Sequence, residues 1–428
     1  MRITEMHITP IALGDPPLLN AAGLHAPFAL RTVVELVTDA GITGLAEVPG
    51  SASVDALLHE ARAVAIGADP LNWHVLQKKL GEHFQPEDSK ARGDAPWDQR
   101  KVVQVFSALD VACLDIAGKA FGVPVATLLG GIVREQIPYS AYLFYKYEGA
   151  GGDLAFGTAS DAQGWDAARQ CAALDPAGIV AQAEAMVKEF GFRSIKLKGG
   201  VFPPEEEVAA LKALHEAFGP DVPLRYDPNA LWTVETSIRW GNELKGILEY
   251  FEDPARGQEG MATVRKALGI PMATNMCTTS FNDLAGSLKQ HSEDIILTDH
   301  HYWGGLRSSM ELAMFCRTFG RGVSMHSNNH GGISLAAMTH LGAAMPNLTY
   351  ALDTHYPWQW EDIIVGGRMK IEDGCVTLPA GPGLGVELDR AALEHAHQNY
   401  LRCGLKERDD EPEMQKKVPG WKFKATRW

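Results

Sequence analysis

Cysteine is scarce. The 428-residue chain has six, at positions 113, 171, 277, 316, 375 and 403, and no two form a CxxC pair. Neither a zinc knuckle nor a disulfide framework is built from thiols so few and so scattered. Long apolar runs are missing as well: no stretch approaches the roughly 18 consecutive apolar residues of a membrane span. The opening MRITEMHITPIALG has no basic lead into an apolar run, so it does not read as a signal peptide. Positive charge is in deficit, with a formal net charge of −14. No basic face is available to release counterions from a nucleic acid. The expectation is a cytoplasmic protein with no membrane or nucleic-acid partner, and a homo-oligomer by default. A small acidic ligand stays compatible, because a few local cations can dominate a cleft.

What is present is ordinary globular material, 46% hydrophobic and 21% charged. The length exceeds one simple core, so two or more units are expected. Ile3 to Ala12 and Thr32 to Val37 have strand composition, with turn chemistry at Gly41-Ile42-Thr43-Gly44. Between them Leu18 to Phe28 is too long for a tight hairpin and reads as a lid, specificity loop or plain connection. Val54–Ile66, Leu71–Phe84 and Val102–Phe121 have helical spacing, with a polar break over Gln85–Pro96. Gly122-Val123-Pro124 stops the last of these, and Val125 begins a short helix that ends at Gly130-Gly131. Residues 1–135 therefore form an α+β unit.

The pattern then changes. Ile137–Phe144 is a strand, residues 148–175 read as loop, and Asp175-Pro176 is a good helix start. Strands recur at Ile195–Lys198, Pro223–Asp227, Ile247–Glu252, Pro271–Asn275, Ile295–Asp299, Gly322–His326 and Thr349–Asp353, with a helical segment between each pair. Strand–helix repeats with short connections demand a parallel sheet. Eight such strands point to an α/β barrel of the TIM type.

A polar residue closes almost every strand. Lys198, Asp227, Glu252, Asn275, Asp299, His326 and Asp353 are spaced by 29, 25, 23, 24, 27 and 27 residues. Singly, each is a turn former or cap. In phase, they meet at the face of a parallel barrel where active sites lie. Asp227, Glu252 and Asn275 come from three adjacent strands and offer hard oxygen ligands suited to Mg²⁺; charges paired with the barrel lysines are the bland alternative.

Lys196 and Lys198 lie two apart in Arg193-Ser194-Ile195-Lys196-Leu197-Lys198-Gly199-Gly200. On a strand both ammonium groups point the same way. That fits a guarded strand edge or a base made neutral by a like charge and partial burial. With His326 and Asp299 opposite, two bases flank the metal position, and an Asp beside an imidazole fixes its tautomer. The arrangement suits proton removal next to a carboxylate, with the metal and Lys196 stabilising the enolate.

Together these residues resemble the enolase superfamily. Ala108-Leu109-Asp110 through Leu129-Gly130-Gly131 resembles its helix joining a capping domain to the barrel. Finer motifs resemble the glucarate dehydratase family: Lys196-Leu197-Lys198-Gly199-Gly200, Asp227-Pro228-Asn229, Glu252-Asp253-Pro254, Ala273-Thr274-Asn275-Met276, His326-Ser327-Asn328-Asn329-His330 and Asp353-Thr354-His355. The resemblance implies a (β/α)₇β barrel over residues 136–380, an α+β capping domain over 1–135, and a segment 381–428 that packs back on the cap and closes the site. It implies Mg²⁺-dependent dehydration of a diacid sugar, D-glucarate or L-idarate, to 5-dehydro-4-deoxy-D-glucarate. In it Lys198 and His326 are the bases for opposite configurations, Asp299 orients His326, and Lys196 is an electrostatic companion. Asn229 and Asn328 touch the substrate or its reacting carboxylate. Asn20, His25, Tyr142, His355 and Arg427 bind substrate, with Arg427 closing over the distal carboxylate.

His300-His301 stands where the resemblance leads one to expect Pro-His. Gly331-Gly332 replaces Phe-Asp, and Ala230-Leu231 replaces Gly-Ala. These positions leave open another hexarate such as galactarate or talarate, or epimerisation on the same two bases. A class I aldolase using Lys198 and an inactive binding protein are the readings of other types.

Overall fold

The computed structural model describes residues 1–84 and 95–428. The polar break expected over Gln85–Pro96 lies, for 85–94, outside the described residues. An antiparallel sheet of Ile3–Gly14, Phe28–Thr38 and Thr43–Pro49 opens the chain. Its strands are longer than sequence spacing indicated, because register pairing extends from Ile3–Thr38 out to Gly14–Phe28. Helices Ala52–Ala65, Trp73–Phe84 and Lys101–Phe121 cover it. Ser51 caps the first by accepting from the Val54 amide. A Cβ at Gly44 would sit 2.1 Å from the Ala112 carbonyl, so only glycine lets strand and long helix approach this closely. The expected loop Leu18–Phe28 contains a small hairpin, Leu19–Asn20 against Gly23–Leu24.

Eight parallel strands follow: Gln136–Phe144, Ile195–Lys198, Leu224–Asp227, Leu248–Glu252, Met272–Thr274, Ile295–Thr298, Gly322–Met325 and Leu352–Asp353. They pair in chain order from first to seventh, and the eighth lies beside the first. Ser324 Oγ donates to the Ala351 carbonyl at 2.8 Å and bridges the remaining seam. Each of the seven connections between successive strands carries a helix, from Pro176–Phe190 in the first to Gly332–Ala344 in the last. A 3₁₀ turn, Tyr356–Trp358, directly follows the eighth strand. The barrel is (β/α)₇β, as the family resemblance implied. Residues 148–175 carry a 3₁₀ turn, Gly152–Leu154, and a helix, Gly164–Ala168, where loop was expected.

Several strands stop short of the expected bounds. Asn275, Asp299 and His326 each lie one residue past their strand. There the backbone leaves the ladder; the Asn275 amide donates to Asp253 Oδ2, and Asp299 becomes the N-cap of His300–Trp303. The side chains thus reach beyond the sheet rather than into its core.

Buried carboxylates lock cap to barrel. Asp110 of the long cap helix accepts from the Leu306 amide at 2.7 Å, and Asp115 accepts from the amides of Leu45 and Leu384, each at 2.8 Å. The C-terminal helix Arg390–Cys403 lies on the first cap strand, where His397 Nδ1 donates to the Pro10 carbonyl at 2.6 Å. Helix Glu411–Lys417 packs on the small hairpin.

Candidate active site

The second strand presents Lys196 and Lys198 inward, and both are buried. Lys196 Nζ lies 2.5 Å from Asp353 Oδ2 and 2.6 Å from Glu252 Oε2. Burial opposes its charge, but these two carboxylates outweigh burial and hold the ammonium well above the usual lysine range. Lys198 Nζ donates to Asp227 Oδ2 at 2.5 Å and to Asn229 Oδ1 at 2.8 Å. Asn229 adopts a left-handed backbone, φ 59°, and donates its amide to Asp227 Oδ1. Two residues of Asp-Pro-Asn thereby aim at one lysine.

Asp227, Glu252 and Asn275 follow on successive strands, the third, fourth and fifth. Both carboxylate oxygens of Glu252 and the Oδ1 of Asn275 are buried without a hydrogen-bond donor; the short contact from Lys196 to Glu252 lacks hydrogen-bond alignment. Burial pushes the Glu252 carboxyl well up, against Lys196, and Asp227, Asp353 and Asp253 push it further. Burial also raises Asp227, but Lys198 and Lys196 bring it down to about 2. Buried acceptors without donors, crowded by like charge, are what a hard divalent cation neutralises. The three residues fit Mg²⁺. Asp299, His300 and His301 also offer three ligand-type atoms within 4.8 Å of one another, but Asp299 and His301 already satisfy each other and the Arg31 guanidinium faces them, so like charge opposes a cation there.

Across the barrel mouth from the lysines, His326 Nδ1 lies 3.0 Å from Asp299 Oδ2. Burial pushes the imidazole down against the pull of Asp299. Burial opposes the charge on Asp299 too, yet His301 and His326 hold it well below the carboxylate range. The carboxylate stays ionised and accepts a hydrogen bond from the Nδ1–H of His326, which leaves Nε2 for chemistry. Asn328 Nδ2 donates to Tyr302 Oη at 3.0 Å.

A cavity of about 200 Å³ joins Asn275, Asp299, His326 and Asn328 to the cap residue His25 and to Arg408. This is below the roughly 300–1,000 Å³ of drug-sized pockets, so a small molecule is its natural occupant. His25 Nδ1 lies 2.8 Å from Asp15 Oδ2, and its Nε2 lies 2.8 Å from Arg408 Nη2. A guanidinium only donates, so Nε2 carries the lone pair. Asn20 is on the small hairpin, where its amide donates to Asp410 Oδ2 and accepts from the Ala22 amide; it holds the C-terminal segment rather than lining the cavity. Tyr142 packs its ring 4.7 Å from Lys196 Nζ and 4.8 Å from the His355 ring. His355 Nδ1 contacts Ser327 Oγ at 2.8 Å.

Arg427, expected to close over the distal carboxylate, is engaged with backbone carbonyls. Its guanidinium donates to the carbonyls of Gly200 and Ala21, at 3.3 and 3.1 Å, and it is not on the cavity wall. Arg408 stands there instead, against Asp410 and over the Trp97 ring at 4.1 Å. The terminal backbone explains the difference: Arg427 N and Thr233 N tie residues 427–428 to the Leu231 loop. Asp15, Tyr302, Arg408 and Asp410 were missed. Arg408 sits in the run Lys406-Glu407-Arg408-Asp409-Asp410, which reads as solvated surface.

A family profile described as "Enolase C-terminal domain-like" matches residues 178–392. The chain is 47% identical to a protein of Streptomyces coelicolor named "Probable glucarate dehydratase", over 98% of this chain and 97% of that protein. Among solved structures, an enolase from Thermobispora bispora complexed with magnesium and formate is 50% identical over 100% of both chains, with a TM-score of 0.92. One from Pseudomonas fluorescens with bound magnesium, potassium and tartrate is 46% identical, TM-score 0.90, over 100% of this chain and 99% of that one.

Proposed function

This chain belongs to the enolase superfamily, and we propose that its substrate is the six-carbon diacid D-glucarate, L-idarate or both, converted to 5-dehydro-4-deoxy-D-glucarate. The enzyme is a hydro-lyase acting on an acid sugar. The observation that supports it most is the placing of two different bases, Lys198 and the Asp299–His326 pair, on either side of three buried, donor-less oxygens.

Mg²⁺ held by Asp227, Glu252 and Asn275 would supply Lewis-acid charge to the reacting carboxylate. Lys198 takes the proton from the carbon next to that carboxylate in one configuration, and His326 takes it in the other. The C–H electron pair moves toward the carboxylate, and the permanent cation on Lys196 stabilises the charge that develops. As that pair returns to form a carbon–carbon double bond, the neighbouring hydroxyl leaves with a proton from His326: the one it has just abstracted in its own route, or, in the Lys198 route, one that its Nε2 takes up from solvent before the step. The enol so formed tautomerises to the 2-keto acid. Asn229 and Asn328 donate to substrate oxygens. Arg408, a planar donor at the far end of the cavity, suits the second carboxylate.

The test is a screen of all six-carbon diacid sugars with Mg²⁺, read by semicarbazide trapping of the keto acid. D-glucarate and L-idarate are expected to react. Equilibrating epimers with no keto product would replace dehydration by epimerisation, which the same two bases support.

A further inference from the structure

The mechanism above uses Asp299 but not what holds it, and two departures from the family motifs, His300-His301 and Gly331-Gly332, are not absorbed by it. Both lie on one buried chain of contacts from the cap. Arg31 of the second cap strand is 2% exposed. Its Nε donates to Glu47 Oε1 at 2.7 Å, and its Nη2 lies 3.2 Å from His301 Nε2 and 3.1 Å from Ser334 Oγ. His301 Nδ1 lies 2.9 Å from Asp299 Oδ1. Glu47 accepts from the Gly331 amide at 2.7 Å and from the Ser334 amide at 3.1 Å, holding the turn that follows His326–His330. A Cβ at Gly331 would come within 3.1 Å of Glu47 Oε2, so glycine leaves room for that grip.

We infer that Arg31 is a positioning residue for the Asp299–His326 pair, acting through the tautomer of His301. The guanidinium has only donors, which favours the lone pair on the His301 nitrogen facing it over a proton shared with the Glu47 carbonyl, 3.1 Å away, or with Ser334 Oγ, 3.0 Å away. The single ring proton then sits on Nδ1 and points at Asp299 Oδ1. That oxygen also accepts the His301 backbone amide at 2.9 Å. Two donors hold Oδ1, so Oδ2 is left to the Nδ1 proton of His326. Without Arg31, His301 Nε2 gains a proton and donates it to the Glu47 carbonyl, 3.1 Å away. A neutral ring then turns a lone pair toward Asp299, and the carboxylate loses a donor and its fixed orientation. The cap thus sets the geometry of the barrel's histidine base, as partners behind an active side chain commonly do.

The inference rests on the two-base reading for its kinetic effect, but its structural core is tested without substrate. In ¹⁵N-histidine-labelled wild-type protein, NMR is expected to show the His301 proton on Nδ1. In Arg31→Met, and in Arg31→Met/Glu47→Gln should the single variant not fold, it is expected to show a proton on Nε2. A wild-type proton on Nε2, or an unchanged tautomer in a folded Arg31 variant, overturns the inference. With an accepted diacid, the Arg31 variants are expected to lose about 10–100-fold in kcat while KM holds within about threefold. Solvent deuterium exchange through Lys198 is expected to continue while exchange through His326 falls. Equal loss on both faces would mean general damage to the scaffold and overturns the inference as well. If the wild type turns over none of the diacids yet carries the expected tautomer, the substrate reading falls and the role of Arg31 stands.

Discussion

Lys196 Nζ and Asp353 Oδ2 lie 2.5 Å apart in the barrel interior, with both side chains fully buried. The strands that carry them, the second and the eighth, flank the first, so the pair ties the end of the barrel to its beginning. It also keeps Lys196 charged at every working pH. Removing one partner of a buried pair strands the other charge. Lys196→Met is expected to destabilise the metal-free protein by about 3–5 kcal/mol, read as a lower denaturant midpoint, and Asp353→Asn in the same chain is expected to restore part of it. An unchanged midpoint would deny the pair this role.

Lys198→Ala and His326→Asn are each expected to cut dehydration by roughly 10²–10⁴-fold, the range of a lost general acid or base. Far-ultraviolet circular dichroism should show the fold intact. Near-normal turnover in either variant would break the two-base assignment.

Mg²⁺ is expected to raise the melting temperature of the wild type, since a ligand bound only to the native state at 100 times its Kd adds about 2.7 kcal/mol. Glu252→Gln and Asn275→Leu should abolish that rise. Asn275→Leu removes a buried acceptor that has no donor in the fold itself, so that metal-free variant should melt at or above the wild type; Glu252→Gln also removes a carboxylate that faces Lys196 and is read only for the lost Mg²⁺ response. EDTA should stop turnover, and activity that survived it would favour Schiff-base chemistry on Lys198.

Arg408→Gln is expected to weaken kcat/KM for a diacid far more than for the corresponding monoacid, because it removes the fork that meets the second carboxylate. Arg427→Gln should show no such distinction between the two substrates. Steady-state kinetics on both substrates decide it, and the reverse outcome would return the role to Arg427.

Lys146 lies under the loop that follows the first barrel strand, donating to the carbonyls of Tyr147 and Cys171. Burial pushes its ammonium down to about 7. In the unfolded chain a lysine titrates near 10.4, so between these values only the unfolded state holds the proton. Stability therefore rises with pH from about 7 to 10, by at most about 1.4 kcal/mol per pH unit from this group. Lys146→Met is expected to lose that increment in a series of urea melts; an equal slope in both proteins would place the titration elsewhere.

Much of this was legible before folding. The two-residue spacing of Lys196 and Lys198, and the regular return of Asp227, Glu252 and Asn275, follow from strand period and repeat length, which are local. The positions of His326 and Asp299 were legible for the same reason. The arginine on the cavity wall was not. Arg427 lay in a stretch that resembled the expected motif, while Arg408 lay in a charged run indistinguishable from solvated surface. Only the packing of Glu411–Lys417 on the Leu19–Leu24 hairpin brings Arg408 against His25.

The sequence by itself determined the barrel, the cap and the in-phase ring of acids and bases, because side-chain alternation and strand–helix rhythm are properties of neighbouring residues. The tertiary structure decided which groups share a proton or a charge. Lys196 belongs to Asp353 and Glu252, Lys198 to Asp227, and His301 to both Asp299 and Arg31. Those partnerships join residues up to 270 apart in the chain. Electrostatics at 3 Å depends on where the chain returns, which no local pattern encodes.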